Sequence, residues 1–259
     1  MRFLQVFLKD NWMENFGPDT FGLLNAEDYD DLHNPGTTQA TVDLIAQVAS
    51  PSSKLLELAI GTGRIALPLV HKGFDLTGIE GSMDMVAKLR AKPGGADIPV
   101  VIGDIADVDI EGTFDHAFLV FNTLFNLTSQ EAQIRCFANT AKRLKPGGTF
   151  LIETFVPTFD GFTDHQRVST KRLDMNSVWI EAATHDPIEQ LFAFQRIRIT
   201  QEGTKLVPLP MRYAYPPEID LMARLAGLRL RDRWGGWDKS AFTADSKFHI
   251  SVYEKPLGE

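Results

Sequence analysis

The chain has 259 residues, 44% of them apolar, and a formal charge of −8. That is enough to build one large packed domain or one and a half. The acidic balance argues against an electrostatic nucleic-acid binder, which carries a basic stripe. Its one cysteine, Cys136, excludes an internal disulfide, suits a reducing compartment and is read as packing; the expected location is the cytoplasm.

The opening MRFLQVFLKDNWMENF is apolar but too short and too broken by charge to span a membrane. GPD, NAEDYDD and HNPG interrupt any periodicity up to residue 36. Residues 1–36 are therefore expected to form a partly helical lead segment that acts as a lid. TTQATVDLIAQVAS (37–50) has amphipathic helical spacing, with Val42, Ile45, Ala46 and Ala49 on one face.

From 54 to 156 strand-like and helix-like runs alternate. KLLELA, FDLTGIE, IPVVIGD, TFDHAFLVFN and TFLIETFV read as strands. GRIALPLVHKG and SMDMVAKLRAK read as helices, the second capped by Ser82. TSQEAQIRCFANTAKRL is the clearest helix. Thr128 and Glu131 suggest a capping box, and Ile134, Phe137, Ala138, Ala141 and Leu144 an apolar stripe. Such alternation predicts an α/β fold with a parallel sheet covered on both faces.

The pattern changes after 157. VWIEAATH, QLFAFQRIRIT and KLVPLPMRYAY alternate with period two, with Val207, Leu209, Met211, Tyr213 and Tyr215 on one face. Residues 157–215 are expected to form an antiparallel cap of three or four strands. PPEIDLMARLAG then reads as a helix, and LRLRDRWGG and KFHISVYEK as two last strands.

The candidate site begins at ELAIGTGR. Glu57 precedes two glycines two apart, Gly61 and Gly63, where a strand turns into a helix. Bare backbone there admits a ligand to the free N–H groups of the helix start. GTGRIA also fits a dinucleotide fingerprint, with Glu80 downstream for a ribose. An acid at the end of the strand, however, repels a pyrophosphate and favours a cationic ligand.

Several ordered motifs together resemble the class I S-adenosylmethionine-dependent methyltransferases. ELAIGTGR is similar to that family's first motif, with Ala59 in place of its first glycine. LTGIEGSMDMVAKL resembles the second, in which an acid, here Glu80, holds both ribose hydroxyls. VIGDIADV resembles the third, which sets Asp104 against the adenine amino group and Ile105 beside the ring. FDHAFLVFNTLFNL and LKPGGTFLIE resemble later markers.

The resemblance implies a doubly wound, Rossmann-like sheet of seven strands, the last antiparallel, with an antiparallel insert after the fifth. The cofactor-binding domain would comprise 37–156 and 216–259. S-adenosyl-L-methionine is the implied cofactor. Gly81, Ser82 and Met83 after Glu80, Phe121 and Asn122 at the end of the fourth strand, and Tyr29 of the lead segment join the implied binding set.

Plainer roles stand beside these. Glu57 could satisfy loop amides, Glu80 could cap a helix, and Asn122 could terminate its strand. Arg64 could pair with Asp104 or face solvent. His33 and His71 read as surface residues, His116 and His249 as packing, and His165 and His185 as insert residues that could meet substrate. No metal is expected, because Phe121-Asn122 stands where metal-dependent relatives place an acid.

No general base is evident, so the catalytic residues stay unassigned. FNTLF lacks the proline pair of base-amine methylating enzymes. The insert resembles the platform of small-molecule members, the sugar and glycine N-methyltransferases among them. Phe155, Phe159, Phe162, Trp179, Tyr213, Trp234 and Trp237 could wall a pocket there or pack the insert onto the sheet. The expected activity is methylation of a small molecule at an amine nitrogen. O-methylation and cofactor binding without turnover are the alternatives. Neither nucleic acid nor membrane is expected as a partner, and the chain is expected to be a monomer or a homodimer.

Overall fold

The computed structural model describes residues 16–258. The membrane and lead-segment readings of residues 1–15 lie outside the described residues. No described helix is long and apolar enough to cross a membrane. In chain order the helices are α1 (Thr20–Asn25), α2 (Tyr29–Leu32), α3 (Thr38–Val48), α4 (Ala66–His71), α5 (Met83–Arg90), α6 (Gln130–Arg143) and α7 (Pro216–Leu225).

The main sheet contains β1 (Lys54–Leu58), β2 (Asp75–Glu80), β3 (Val100–Ile102), β4 (Phe114–Leu119), β5 (Leu144–Phe155), β10 (Arg229–Trp234) and β11 (Phe248–Glu254). Their spatial order is β10-β11-β5-β4-β1-β2-β3. β11 runs antiparallel to both its neighbours, and the β1, β2, β3, β4 and β5 pairings are parallel. The chain builds outward from β1 in both directions. The reversal between β1 and β4 opens the crevice where such sheets bind ligands.

Strand alternation divides the core in two. Leu56, Ala117, Phe150 and Ile152 point to one face, where Phe137 of α6 and Ile219 and Met222 of α7 cover them. Leu55, Phe118 and Leu151 point to the other, under Val42 and Ile45 of α3, Leu69 of α4 and Leu89 of α5. Alternate side chains of a strand face opposite ways, so a sheet buried on both faces reads as a continuous apolar run.

Two details of α6 correct the sequence reading. Its cap is Ser129, whose Oγ accepts the Ala132 N–H at 3.1 Å. Thr128 lies one residue too early, so the Thr128–Glu131 capping box does not form. Ala138 is exposed; Gln133, Cys136, Phe137, Thr140 and Ala141 form the buried face. Ser82 does cap α5, accepting the Met85 N–H at 3.4 Å.

The insert is a four-stranded antiparallel meander of β6 (Gln166–Leu173), β7 (Ser177–Asp186), β8 (Leu191–Thr200) and β9 (Gly203–Arg212). Residues opposite one another across antiparallel strands share a face. The inner face therefore reads in ranks: His185, Phe192 and Met211; then Ala183, Phe194 and Leu209; then Glu181, Arg196 and Val207; then Trp179, Arg198 and Lys205. Its apolar end joins the main core, where Phe192, Leu209, Met211 and Tyr213 pack with Leu124 and Phe125. Tyr215 does not continue this face: it is 40% exposed, because the chain has already turned into α7.

The lead segment crosses over the carboxyl ends of β1 and β2. A Cβ at Gly22 of α1 would stand 2.2 Å from Ser82 Oγ, so only a glycine lets α1 lie this close to the start of α5.

Candidate active site

β1 ends at Leu58 and the chain turns sharply. Ala59 has φ +57° and Gly61 φ +56°. No atom lies within 4 Å of where a Cβ on Gly61 would stand, and its N–H donates to Glu80 Oε2 at 2.8 Å. Gly63 is buried under the loop against Leu67 and Leu89. Glu57, 3% exposed, sits beneath the turn, and its Oε2 has no hydrogen-bond partner. Burial pushes its carboxyl well above the usual range; Arg64 opposes that rise and Glu80 adds to it.

Glu80 ends β2. Its other oxygen, Oε1, accepts the Ser82 N–H at 3.0 Å. Burial raises this carboxyl too, against the backbone N–H groups of Ser82, Gly61 and Gly81. Ala59, Gly61, Glu80, Gly81, Asp104 and Ile105 line one continuous cavity of about 580 Å³. Asp104 Oδ1 accepts the Ala106 N–H at 2.8 Å, which holds the loop after β3. Met83 is 65% exposed and, like Ser82, Gly63 and Glu57, stands outside the cavity wall.

At the end of β4, Phe121 and Asn122 have φ +62° and +63°. Two consecutive non-glycine residues in the left-handed region cost about 1–2 kcal/mol each. Glu153 of β5 secures the turn, its Oε2 accepting the Phe121 N–H at 2.7 Å. Asn122 Oδ1 accepts the Phe155 N–H at 2.6 Å, so its side-chain oxygen serves the strand end while the residue lines the cavity. Glu153 escaped the sequence reading; its only signal was an acid within the apolar run LIETFV. Arg64 takes neither sequence-read role: its guanidinium lies 5.1 Å from the Phe121 ring centroid and donates to Thr38 Oγ1 at 3.1 Å.

The lead segment closes the cavity. Tyr29 lines it, with its hydroxyl pKa pushed up to about 12 by burial, against the pull of Arg64. Asp30 fastens α2 to the glycine loop, accepting from Thr62 Oγ1 at 2.6 Å and pairing with Lys92 Nζ at 2.6 Å. His33, read as a surface residue, is instead half-buried and lines the cavity. Its ring stacks on Phe21 at 5.9 Å, and its Nε2 lacks a partner. Burial and then Arg196 lower its pKa to about 4.

Of the seven aromatic residues considered for a pocket wall, Trp179 lines the cavity. Phe155, Phe159, Phe162 and Tyr213 pack around Phe192 and His185. His185 is buried against the Tyr213 hydroxyl at 2.8 Å and does not face the cavity. Trp237 donates to Glu153 Oε1 at 3.3 Å.

The site fits a sulfonium nucleoside. Glu57, buried beneath the turn and outside the cavity wall, favours a cation near the loop through the field of its ionised form. Each Glu80 oxygen holds one N–H and retains a lone pair, which suits a vicinal diol. A doubly wound sheet with an acid-and-glycine turn after its first strand and an acid ending its second defines a nucleoside-binding α/β protein.

The comparisons with known proteins narrow that class. A family model described as a methyltransferase domain matches residues 55–148. The structure of the CcbJ methyltransferase from Streptomyces caelestis is similar at 35% identity, covering 93% of this chain and 100% of that one, with a TM-score of 0.87. The cypemycin N-terminal methyltransferase of a Streptomyces species is 27% identical over 231 residues, 82% of this chain and 94% of that protein. The glycine/sarcosine N-methyltransferase of Halorhodospira halochloris is 26% identical over 215 residues, 80% of this chain and 77% of that protein. The chain belongs to the class I S-adenosylmethionine-dependent methyltransferases. That membership closes the dinucleotide alternative and the reading as a binding protein without turnover.

Proposed function

We propose that this enzyme methylates an amine nitrogen of a small molecule, with its cofactor held by the residues gathered at the carboxyl ends of β1, β2 and β3. Glu80 holds the ribose hydroxyls, Glu57 favours the cationic amino end, and Asp104 and Ile105 flank the adenine. The names of the cypemycin and glycine/sarcosine relatives support nitrogen as acceptor.

The observation that carries the choice of nitrogen is His33. It lines the cavity with a buried, unpartnered Nε2 and a pKa near 4, and so is neutral at physiological pH. Such an imidazole is too weak a base to take a hydroxyl proton. Tyr29, pushed up to about 12, stays protonated and is no base either. A neutral amine needs no base to attack.

Bound S-adenosylmethionine supplies a methyl carbon on a positively charged sulfur that leaves as a thioether. The residues at the strand ends would hold that group so that a neutral amine could take the methyl carbon as the thioether leaves, the ammonium proton passing to water. The chain aligns the two partners and, through the lead segment, excludes solvent; alignment alone can supply roughly 7–11 kcal/mol. A labelled-methyl assay on matched amines and alcohols, with product masses, tests the reading. Methylated amines are expected; methyl ethers or esters alone would overturn it.

A further inference from the structure

The two charged ranks of the insert's inner face lie outside the cofactor-binding set proposed above. Glu181, 4% exposed, pairs with Arg167 at 3.2 Å, Lys171 at 2.8 Å and Arg196 at 3.6 Å. Asp28, from the lead segment, pairs with Arg198 at 3.4 Å and Lys205 at 3.6 Å. Five cations thus share two carboxylates among the described residues, in a chain whose formal charge is −8. Lys171, Arg196, Arg198 and Lys205 line the cavity.

Strand register assembles this group. Arg196 and Arg198 are two apart on β8 and share a face. Lys205 lies opposite Arg198 on β9, and Glu181 opposite Arg196 on β7. Lys171 sits at the irregularity between Thr170 and Arg172 on β6, where one extra residue re-aims a side chain. Arg198 lies over the Trp179 ring at 5.3 Å, and its Nε is buried without a partner. Stacking fixes the plane of the guanidinium, whose fork of donors matches an oxyanion.

We infer that the methyl acceptor carries an oxyanion, a carboxylate or a phosphate, which docks against Arg198, Lys205, Arg196 and Lys171 while its amine faces the cofactor. This rests on the amine reading above for the reacting end alone; the anion contact stands on the insert. Cationic walls partly shielded from water attract an anion far more strongly than bulk solvent permits. His33 borders both regions: it packs on Tyr29 at 5.0 Å and feels the Arg196 charge. The reacting nitrogen and the anion would therefore occupy opposite ends of one molecule.

The test uses the full chain with S-adenosylmethionine and a panel of amines and alcohols. Each is supplied as the carboxylate, the carboxamide and the phosphate monoester. Anionic members are expected to show kcat/KM about tenfold or more above their carboxamides. Carboxylate against phosphate in the panel identifies the oxyanion. Arg198→Gln should narrow that ratio toward one, chiefly through KM, while the Kd for S-adenosylhomocysteine reports an intact cofactor site. Carboxamides accepted as well as the anions, or a ratio unmoved by both R198Q and K205Q, would overturn the inference. If only alcohols are methylated but the anion preference holds, the amine reading fails and this one stands. Should no member turn over, calorimetry on the S-adenosylhomocysteine complex decides: preferential binding of anionic members supports the contact, and its absence overturns it.

Discussion

Glu80 Oε2 accepts the Gly61 N–H at 2.8 Å, so the acid that ends β2 is also the strut that holds the glycine turn after β1. On the function proposed above, cofactor grip and loop shape depend on one carboxylate. Glu80→Ala should weaken S-adenosylhomocysteine binding by roughly 1.5–3 kcal/mol, the size of a charged hydrogen bond, measured by titration calorimetry. Unchanged affinity in a folded variant would remove Glu80 from the ribose role.

On the proposed reading, Glu57 links cofactor affinity to pH. Burial holds its carboxyl above the usual range in the free protein, and a bound cation favours the ionised form. Binding therefore releases a proton, and affinity should rise with pH until the free carboxyl is ionised, then level off. Kd should fall with rising pH for the native chain, and less steeply for Glu57→Gln, which leaves only Glu80 as a raised carboxyl in the site. Equal slopes would sink the assignment.

Ala59 stands in the left-handed region at φ +57°, where its β-carbon costs about 1–2 kcal/mol. Glycine is free of that strain but loses more chain entropy on folding, about 0.4–1 kcal/mol. Ala59→Gly should stabilise the fold by roughly 0.5–1 kcal/mol net, read as a higher denaturant midpoint at unchanged m-value.

His249 is fully buried, with Nε2 at 2.9 Å from Thr154 Oγ1 and Nδ1 at 2.8 Å from Ser251 Oγ. Burial lowers its pKa to about 4, with Arg233 adding to the shift. The unfolded imidazole protonates near the ordinary value of about 6.5, so the unfolded state binds the extra proton between the two. Stability is full above pH 6.5 and falls as pH drops toward 4, by roughly 3 kcal/mol from this residue. His33, also near 4, adds to the same slope. Chemical denaturation across this window should be shallower for His249→Gln, though that variant is less stable at neutral pH.

Much of the fold was written locally. The strands from KLLELA to KFHISVYEK, the Ser82 cap and the acid–glycine–acid spacing of 57, 61 and 80 each lie within one element or one crossover. Periodicity and capping are short-range, so they survive in the sequence. The choice between neighbouring hydroxyls does not: Thr128 and Ser129 both satisfy the pattern, and backbone geometry selected Ser129.

By itself, then, the sequence determined the α/β architecture, because strand and helix patterns repeat with the period of the backbone, and it placed the acids flanking the glycine turn in ordered motifs that resemble the family. Only the tertiary structure decided that His33 leaves the surface, that Glu153 secures Phe121, and that Lys171, Arg196, Arg198 and Lys205 line the same cavity as Glu80. Glu80, Lys171 and Arg196 lie tens of residues apart along the chain, as do Phe121 and Glu153. Burial and electric field are sums over such distant neighbours, and no short stretch of sequence contains them.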